Sequence, residues 1–273
     1  MTTAPMHATP FDIALLAGQR PGQDPLAAHF GEELKALVSV HGRPMLDHML
    51  DILPHVSGAR RIFVLAQQAE TLADHMGAAW RATHPSVIFR ACGPSISGTL
   101  IDLMAADDAA FPLLVTTVDN ILLTPEIIAH FLESCRLDDA DVVAGVVEAL
   151  TLRAAYPANK RTWLKFRGGA YSGANLFWFA SARALPVLHL WRTIEQDRKK
   201  GRAIIGAFGL PLLLGAGLRI LSLAQALAIA GKRMQIRAKA CVLPFAEAAI
   251  DVDKPDDHDL ATRILAQREA ASR

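Results

Sequence analysis

The chain has 273 residues, enough for a substantial core in one large domain or two small ones, and 52% of them are hydrophobic. Its 28 basic and 27 acidic residues leave a formal charge of +1, which excludes a global field that would attract nucleic acid or an anionic membrane. Any anion-binding site must therefore be local.

The cysteines, Cys92, Cys135 and Cys241, are far apart in the sequence. They form no C-x-x-C pair and no disulfide framework, which favours a reducing compartment. The first ten residues, MTTAPMHATP, lack the basic start and apolar run of a secretion signal. We therefore expect a cytoplasmic protein.

Short apolar runs alternate with helical patterns through the first half of the chain. Runs typical of β-strands lie at residues 12–16, 61–66, 87–91, 111–118 and 141–147. Helical patterns lie at 44–55, 69–82 and 98–106, and Thr124-Pro125-Glu126 is typical of a helix start. This order predicts a Rossmann-like α/β/α fold of three layers with a mainly parallel mixed sheet. Ligands of such sheets bind at the carboxyl ends of the strands.

The second half of the chain is less regular. Candidate strands lie at 162–166, 174–179, 235–243 and 249–252, and candidate helices at 181–200 and 255–273. The first two strands flank a turn at Gly168-Gly169. Because no linker divides the chain, we expect a single domain over residues 1–273.

Residues 203–230 form a long apolar stretch with one charge, Arg219. Its length would suffice to span a bilayer, but several glycines and Pro211 interrupt it. This pattern favours two short buried helices joined by a glycine-rich turn. A patch that contacts a membrane or a partner protein is the alternative.

The first predicted strand runs into a glycine turn. Leu16 and the segment Ala17-Gly18-Gln19 would present backbone N–H groups that suit phosphate oxygens. Arg20 and Lys35 are the cations able to neutralise a triphosphate there. Neither a Walker loop nor a Rossmann G-x-G-x-x-G is present, so the residues alone are equally typical of an ordinary βα turn.

The sequences LAGQR (16–20) and KALVSVHGRPMLDHML (35–50) together resemble the opening of the sugar-phosphate and cofactor nucleotidyltransferases. That superfamily includes molybdenum-cofactor guanylyltransferases and the uridylyl- and cytidylyltransferases of sugar and isoprenoid pathways. The resemblance implies the nucleotide-diphospho-sugar transferase fold, with a nucleotide-binding half at 11–150 and an acceptor-binding half at 151–273. It also implies that Lys35 and Arg20 are the family's phosphate-binding cations. The chain departs from the resembled pattern at Gln19, where a second glycine or an alanine-glycine pair is usual, and in an insertion at 23–33.

Carboxylates define a candidate metal site. Asp119 follows a predicted strand in VTTVDNILLTPE (115–126), where a cation that bridges phosphates is expected, although an acid there is also typical of a helix cap or a solvated surface. Asp251 and Asp253 alternate along a predicted strand in AIDVDKPDDHDL (249–260) and would point the same way. Both segments resemble family motifs, which implies that Asp119 and Asp253 bind Mg²⁺. The acids that follow are expected to charge the first turn of the last helix: Asp256, Asp257 and Asp259.

Two further segments resemble the family's substrate contacts. Ser97-Gly98-Thr99 falls where the family contacts base and ribose, although an N-cap serine with a glycine turn explains it equally well. The glycine-rich segment after Arg167 resembles the acceptor side, which implies contacts from Gly169 and Asn175. Lys165 and Arg167 suit an acceptor phosphate or an ordinary surface.

The resemblance as a whole implies a magnesium-dependent nucleotidyltransferase. It would move a nucleoside monophosphate from a nucleoside triphosphate to a phosphorylated small molecule, with release of pyrophosphate and without a nucleic-acid partner. Guanylyl transfer to a molybdopterin-type acceptor is the second interpretation. A non-catalytic nucleotide-binding or membrane-associated scaffold is the alternative from another class.

Overall fold

The computed structural model describes residues 10–19, 22–106, 111–137, 139–196 and 218–271. The described strands are β1 (Phe11–Leu16), β2 (Ser39–Val40), β3 (Arg43–Pro44), β4 (Ala59–Ala66), β5 (Val87–Ala91), β6 (Leu113–Thr117), β7 (Val142–Glu148), β8 (Leu164–Phe166), β9 (Gly169–Phe179) and β10 (Ala238–Leu243). The described helices are α1 (Pro25–Phe30), α2 (Met45–Ile52), α3 (Ala69–Met76), α4 (Ala78–Thr83), α5 (Ile96–Ala105), α6 (Pro125–Leu137), α7 (Ala149–Ala155), α8 (Leu185–Gln196), α9 (Leu223–Arg233) and α10 (Pro255–Ala271).

Within these residues an eight-stranded sheet has the order β10-β7-β9-β6-β1-β4-β5, with β8 beside β9. β1 is parallel to β4 and β6, β4 to β5, and β10 to β7, whereas β9 is antiparallel to β6, β7 and β8. The sheet is therefore mixed and mainly parallel, as the alternation of strand and helix patterns predicts.

Two apolar clusters cover the two faces of the sheet. Along β1, Phe11, Ile13 and Leu15 lie in one cluster and Ala14 in the other, because successive strand residues point to opposite faces. Residues of α2, α6 and α10 belong to the first cluster, and residues of α5 and α8 to the second. This arrangement confirms the expected three layers.

Several element predictions are wrong at their bounds or in kind. The segment treated as an insertion contains α1, whose N-cap Asp24 accepts from the N–H groups of Leu26 and Ala27. The helix predicted at 69–82 is divided at Gly77, whose φ of 78° places it in the left-handed region. Residues 249–252 are not a strand, because a 3₁₀ turn occupies Ala246–Ala249.

Smaller differences affect the remaining helices. The helix predicted at 98–106 begins earlier, at Ile96, and that at 44–55 ends in a 3₁₀ turn over Leu53–His55. Helix α7 follows β7 directly and was not expected from the sequence. The terminal helix α10 was expected from the sequence and has Ile264 on its buried side.

Residues 203–217 of the apolar stretch lie outside the described residues. The part that follows includes α9, which begins at a capping box formed by Ser222 and Gln225. Only its end is buried, at Ala230 and Gly231, so this part is a surface helix rather than the expected buried one. No helix in the described part of the chain is long and apolar enough to cross a membrane.

Candidate active site

Asp119 lies at the carboxyl edge of the sheet, beside the glycine turn that follows β1. β6 pairs in register with β1, with Thr117 opposite Leu16, and the Val118 N–H donates to the Leu16 carbonyl at 3.0 Å. The Thr117 hydroxyl donates to Asp119 Oδ1 at 2.5 Å and so orients the carboxylate. The two segments that the sequence places on one edge are therefore neighbours.

The segment after the 3₁₀ turn brings two more acids to this edge. The Val252 N–H donates to the Asp119 carbonyl at 3.0 Å, and Asp251 and Asp253 flank that contact. One carboxylate oxygen from each of Asp119, Asp251 and Asp253 lies within 4.8 Å of the others. The strand predicted at 249–252 is absent. The hydrogen bond from the Val252 N–H nevertheless brings Asp251 and Asp253 close to Asp119.

Lys35 connects the acids. It begins a 3₁₀ turn, Lys35–Leu37, and its ammonium donates to Asp119 Oδ2 at 2.5 Å and to Asp253 Oδ1. The side chains of Lys35 and Asp119 are only 12% and 14% exposed, whereas that of Asp253 is 52% exposed. A mostly buried ammonium thus joins a buried carboxylate to one that faces solvent.

The charges of this group follow from their contacts. Burial by itself would lower the pKa of Lys35, but Asp119 and Asp253 outweigh it and hold that pKa well above its usual range. Burial would likewise raise the pKa of Asp253, but Lys35 outweighs it and holds that pKa below its ordinary value. Lys35 is therefore an ammonium and Asp253 a carboxylate at neutral pH.

Asp251 is held by a separate set of donors. The Arg161 guanidinium donates to Asp251 Oδ1, to the Asp251 carbonyl at 3.1 Å and to Asp257 Oδ1 at 3.2 Å. The Asn175 amide donates to Asp251 Oδ2 at 3.1 Å. Both carboxylate oxygens of Asp251 are thus engaged by protein groups.

A β-bulge positions Asn175. The pairing of β7 with β9 shifts between Ala144 and Val146, and Asn175 has a φ of 49° in the left-handed region. The neighbouring Ala174 carbonyl accepts from the buried Asn120 side chain at 2.8 Å, which holds the bulge against the segment after Asp119. The bulge directs the amide of Asn175 towards the acids.

The glycine turn is fastened by two glutamines. The Gln19 N–H donates to Gln67 Oε1 at 3.0 Å, and a Cβ on Gly18 would lie 2.9 Å from the same oxygen. The Gln19 side chain accepts from the Lys35 N–H at 3.1 Å and donates to the Glu33 carbonyl at 3.3 Å. The residue that departs from the family pattern therefore ties the turn to the segment that carries Lys35.

Residues 14–240, most of the chain, match the MobA-like NTP transferase domain. The chain belongs to this family. The MobA-like family is one of NTP transferases, so nucleotidyl transfer is the class of enzyme activity that membership supports. No curated protein matches the chain by sequence.

Solved structures have a similar fold. A hypothetical transferase from Thermus thermophilus is 28% identical with a TM-score of 0.72, and the match covers 92% of this chain and 99% of that one. The CMP:2-keto-3-deoxy-manno-octonic acid synthetase complexed with CTP has 14% identity and a TM-score of 0.57, covering 94% and 99%. The 4-diphosphocytidyl-2C-methyl-D-erythritol synthase from Anaerococcus prevotii has 9% identity and a TM-score of 0.57, covering 95% and 99%. At these identities the two synthases show the fold alone.

In this MobA-like chain, Ser97-Gly98-Thr99 forms the first turn of α5. The N-cap is Ser95, which accepts from the Gly98 N–H, and not Ser97. The buried Ser97 hydroxyl donates to Glu195 Oε2 of α8 at 2.7 Å, and the Ser95 hydroxyl donates to the same oxygen at 2.7 Å. Thr99 lines a cleft of about 280 Å³ between α5 and the end of β5. The first turn therefore carries polar groups beyond those that the cap requires.

The acceptor-side glycines lie in the β8–β9 hairpin. Gly168 makes the turn with a φ of 91°, and a Cβ on Gly169 would lie 2.8 Å from the Tyr171 hydroxyl. Arg167 contacts the start of α9, where its guanidinium donates to Gln225 Oε1 at 3.0 Å, and Lys165 is exposed. Packing within the hairpin accounts for the glycine at 169, whose contact with an acceptor stays a prediction.

Arg20 is the one predicted site residue outside the described residues. Sequence reasoning missed four residues that hold the site together, namely Thr117, Arg161, Gln67 and Glu195. Thr117 had a local signal, because a hydroxyl two residues before an acid at a strand end can bond to it. Arg161 and Glu195 had none, since their partners are distant in sequence.

Proposed function

We propose that this family member transfers a nucleoside monophosphate from a nucleoside triphosphate to a phosphorylated small-molecule acceptor and releases pyrophosphate. The observation that carries the proposal is the group of Lys35, Asp119 and Asp253 at the carboxyl edge of the sheet, beside the glycine turn. A buried cation next to paired carboxylates suits a substrate that is itself highly charged and accompanied by a divalent ion.

Different residues would contact different parts of the two substrates. The turn formed by Leu16, Ala17, Gly18 and Gln19 would lie against the triphosphate, although the N–H groups of Ala17 and Gln19 already donate within the protein, to the Leu65 carbonyl and to Gln67 Oε1. Lys35 and Arg20 would neutralise the charge of the triphosphate. The first turn of α5, with Ser97, Gly98 and Thr99, would contact base and ribose. Gly169 and Asn175, in the half at 151–273, would contact the acceptor.

The carboxylates fit a magnesium ion by their chemistry. Carboxylate oxygens are the donors that Mg²⁺ prefers, and those of Asp119, Asp251 and Asp253 are within 4.8 Å of one another. Asp119 and Asp253 would hold the ion, because Asp251 is engaged by Arg161 and Asn175. When bound, Mg²⁺ would neutralise phosphate charge at the reacting centre.

The reaction would be an in-line displacement at the α-phosphorus. An oxygen of the acceptor's phosphate forms the new bond to phosphorus, and the bond to the bridging oxygen breaks so that pyrophosphate leaves with that electron pair. Because the attacking oxygen is already an anion, no general base is required. The protein's part is to position the two substrates and to offset their charge with Lys35 and Arg20.

Thermal-shift measurements on the full chain with ATP, GTP, CTP and UTP, each with and without Mg²⁺, test binding of the triphosphate. We expect magnesium-dependent stabilisation by one triphosphate. Stabilisation by none of them would contradict the proposal and favour the alternative of a membrane-associated scaffold. The matched family is MobA-like, so guanylyl transfer to a molybdopterin-type acceptor is the second candidate, and selective stabilisation by GTP would favour it.

Variants then test the residues. Lys35→Ala and Asp119→Ala are expected to abolish pyrophosphate release with the stabilising triphosphate and an acceptor found among phosphorylated sugars and alcohols. Lys232→Ala and Asp74→Ala remove exposed charges of the same kind on α9 and α3 and should retain wild-type rates. Turnover by Lys35→Ala or Asp119→Ala at the wild-type rate would refute the assignment of the site.

A further inference from the structure

We propose that the Lys35 ammonium serves as the built-in counterion of the cation site, so that a divalent ion can bind only when Lys35 leaves it. The inference rests on the proposed function, whose cation site it takes as given. It adds that Lys35 and the metal compete for the same carboxylate oxygens, and that metal binding releases the lysine towards the phosphates.

The contacts of Lys35 carry the first step. Its ammonium touches Asp119 Oδ2 and Asp253 Oδ1, so it lies between the two carboxylates that would hold a metal. A bound Mg²⁺ would need those oxygens at about 2.0–2.1 Å. An ammonium in contact with the same oxygens leaves no room for the ion and repels its charge. An ion bound through these two oxygens would therefore have to displace the ammonium.

Burial explains why a cation is present there at all. The Asp119 side chain is 14% exposed, and its carboxylate lies close to those of Asp251 and Asp253. Buried carboxylates that approach one another are strongly unfavourable without a nearby positive charge. Lys35 supplies that charge for Asp119 and Asp253 while the metal is absent, and Arg161 supplies it for Asp251.

The hydrogen bonds of Asp251 indicate which carboxylate oxygens can exchange Lys35 for a metal ion. Its two oxygens accept from Arg161 and Asn175, neither of which needs to move when a metal binds. The oxygens of Asp119 and Asp253 are held instead by Lys35, whose flexible side chain has several rotatable bonds and can move away. Exchange therefore concerns Asp119 and Asp253, while Asp251 stays in place.

The backbone of Lys35 is held independently of its side chain. The Gln19 side chain accepts from the Lys35 N–H at 3.1 Å, next to the turn that would bind the triphosphate. When a divalent ion takes the carboxylates, the ammonium can swing towards that turn without a change in the backbone. It keeps its proton and its charge throughout, so the step is an exchange of one cation for another.

Mn²⁺ binding to the full chain, measured by electron paramagnetic resonance without any nucleotide, tests the competition. We expect Lys35→Met to bind Mn²⁺ at least about tenfold more tightly than the wild type, because the competing charge is gone. Lys232→Met, which removes an exposed lysine of α9, should leave the affinity unchanged. Addition of Asp253→Asn to Lys35→Met should weaken the gained binding. Equal or weaker binding by Lys35→Met would overturn the proposal.

A second measurement needs no substitution in the protein under test. In wild-type chain labelled with ¹³C at the lysine ε-carbon, saturation with Mg²⁺ should shift the Lys35 signal towards that of a solvated lysine. The signal is assigned by its loss in Lys35→Arg. An unchanged signal at saturating Mg²⁺ would refute the exchange even if Lys35→Met folds poorly. Both measurements omit nucleotide, so their failure is distinct from a failure of triphosphate binding or pyrophosphate release.

Discussion

The side-chain oxygen of Gln19 accepts a hydrogen bond from the backbone N–H of Lys35 at 3.1 Å. The same amide donates to the Glu33 carbonyl, so one side chain spans the gap between the glycine turn and the segment that carries the lysine. A glycine at this position would make neither contact. Gln19 thus has a structural role in holding Lys35 beside the turn.

Gln19→Ala is expected to weaken binding of the triphosphate that stabilises the wild type. Loss of a hydrogen bond contributes about 1 kcal/mol, which corresponds to about a fivefold increase in Kd. Isothermal titration calorimetry measures the Kd for the triphosphate. Gln68→Ala is the control, because the Gln68 side chain donates to the exposed Glu33 side chain and not to Lys35. Equal affinities of the two variants would show that Gln19 does not position the lysine.

Arg161→Met is expected to lower the free energy of unfolding by about 3 kcal/mol. The Arg161 side chain is 10% exposed and pairs with two largely buried acids, Asp251 and Asp257, which its removal leaves without their partner. Urea denaturation followed by circular dichroism measures the change. Arg43→Met is the control, because Arg43 pairs with Asp51 at the exposed surface, where an ion pair contributes less than about 1 kcal/mol. A similar loss in both variants would contradict the structural role of Arg161.

The fold could be predicted where sequence signals are local. The strand at Val87–Ala91 follows at both ends from an apolar run between Pro85 and Gly93, and the structure has the same bounds. Helix α1 also had local signals, since Asp24 precedes a proline and Gly31 follows its last turn. Interpretation of that segment as an insertion in a family motif concealed them.

The site could be predicted only in part, because only some of its residues lie in local sequence motifs. Lys35, Asp119 and Asp253 lie in short motifs, and the structure brings them into contact. Arg161 is 90 positions from the Asp251 carboxylate that it holds, and no pattern near either residue indicates the pair. Contacts of this kind depend on how the loops pack over the sheet edge, which periodicity and motifs do not encode.

Asn175→Gly and Asn175→Ala separate the backbone of the bulge from its amide. Glycine tolerates a φ of 49°, so Asn175→Gly should keep the free energy of unfolding within about 1 kcal/mol of the wild type, whereas Asn175→Ala adds left-handed strain of about 1 kcal/mol. Both variants lose the bond to Asp251. If Asn175 contacts the acceptor, both should raise the KM for the acceptor while the Kd for the triphosphate is retained. An unchanged acceptor KM in Asn175→Gly would contradict that role.

Ser95→Ala and Ser97→Ala test whether Ser95 has a structural role and Ser97 a binding role at the start of α5. Ser95 caps the helix, so its removal should lower the free energy of unfolding by about 1 kcal/mol. Both serines donate to Glu195 Oε2, but Ser97 makes no cap, and its hydroxyl is in the segment expected to contact base and ribose. Ser97→Ala should therefore raise the Kd for the triphosphate more than Ser95→Ala does, and lower the stability less. Calorimetric titration and urea denaturation of the two variants check this order, and the reverse order would assign the binding role to the cap residue.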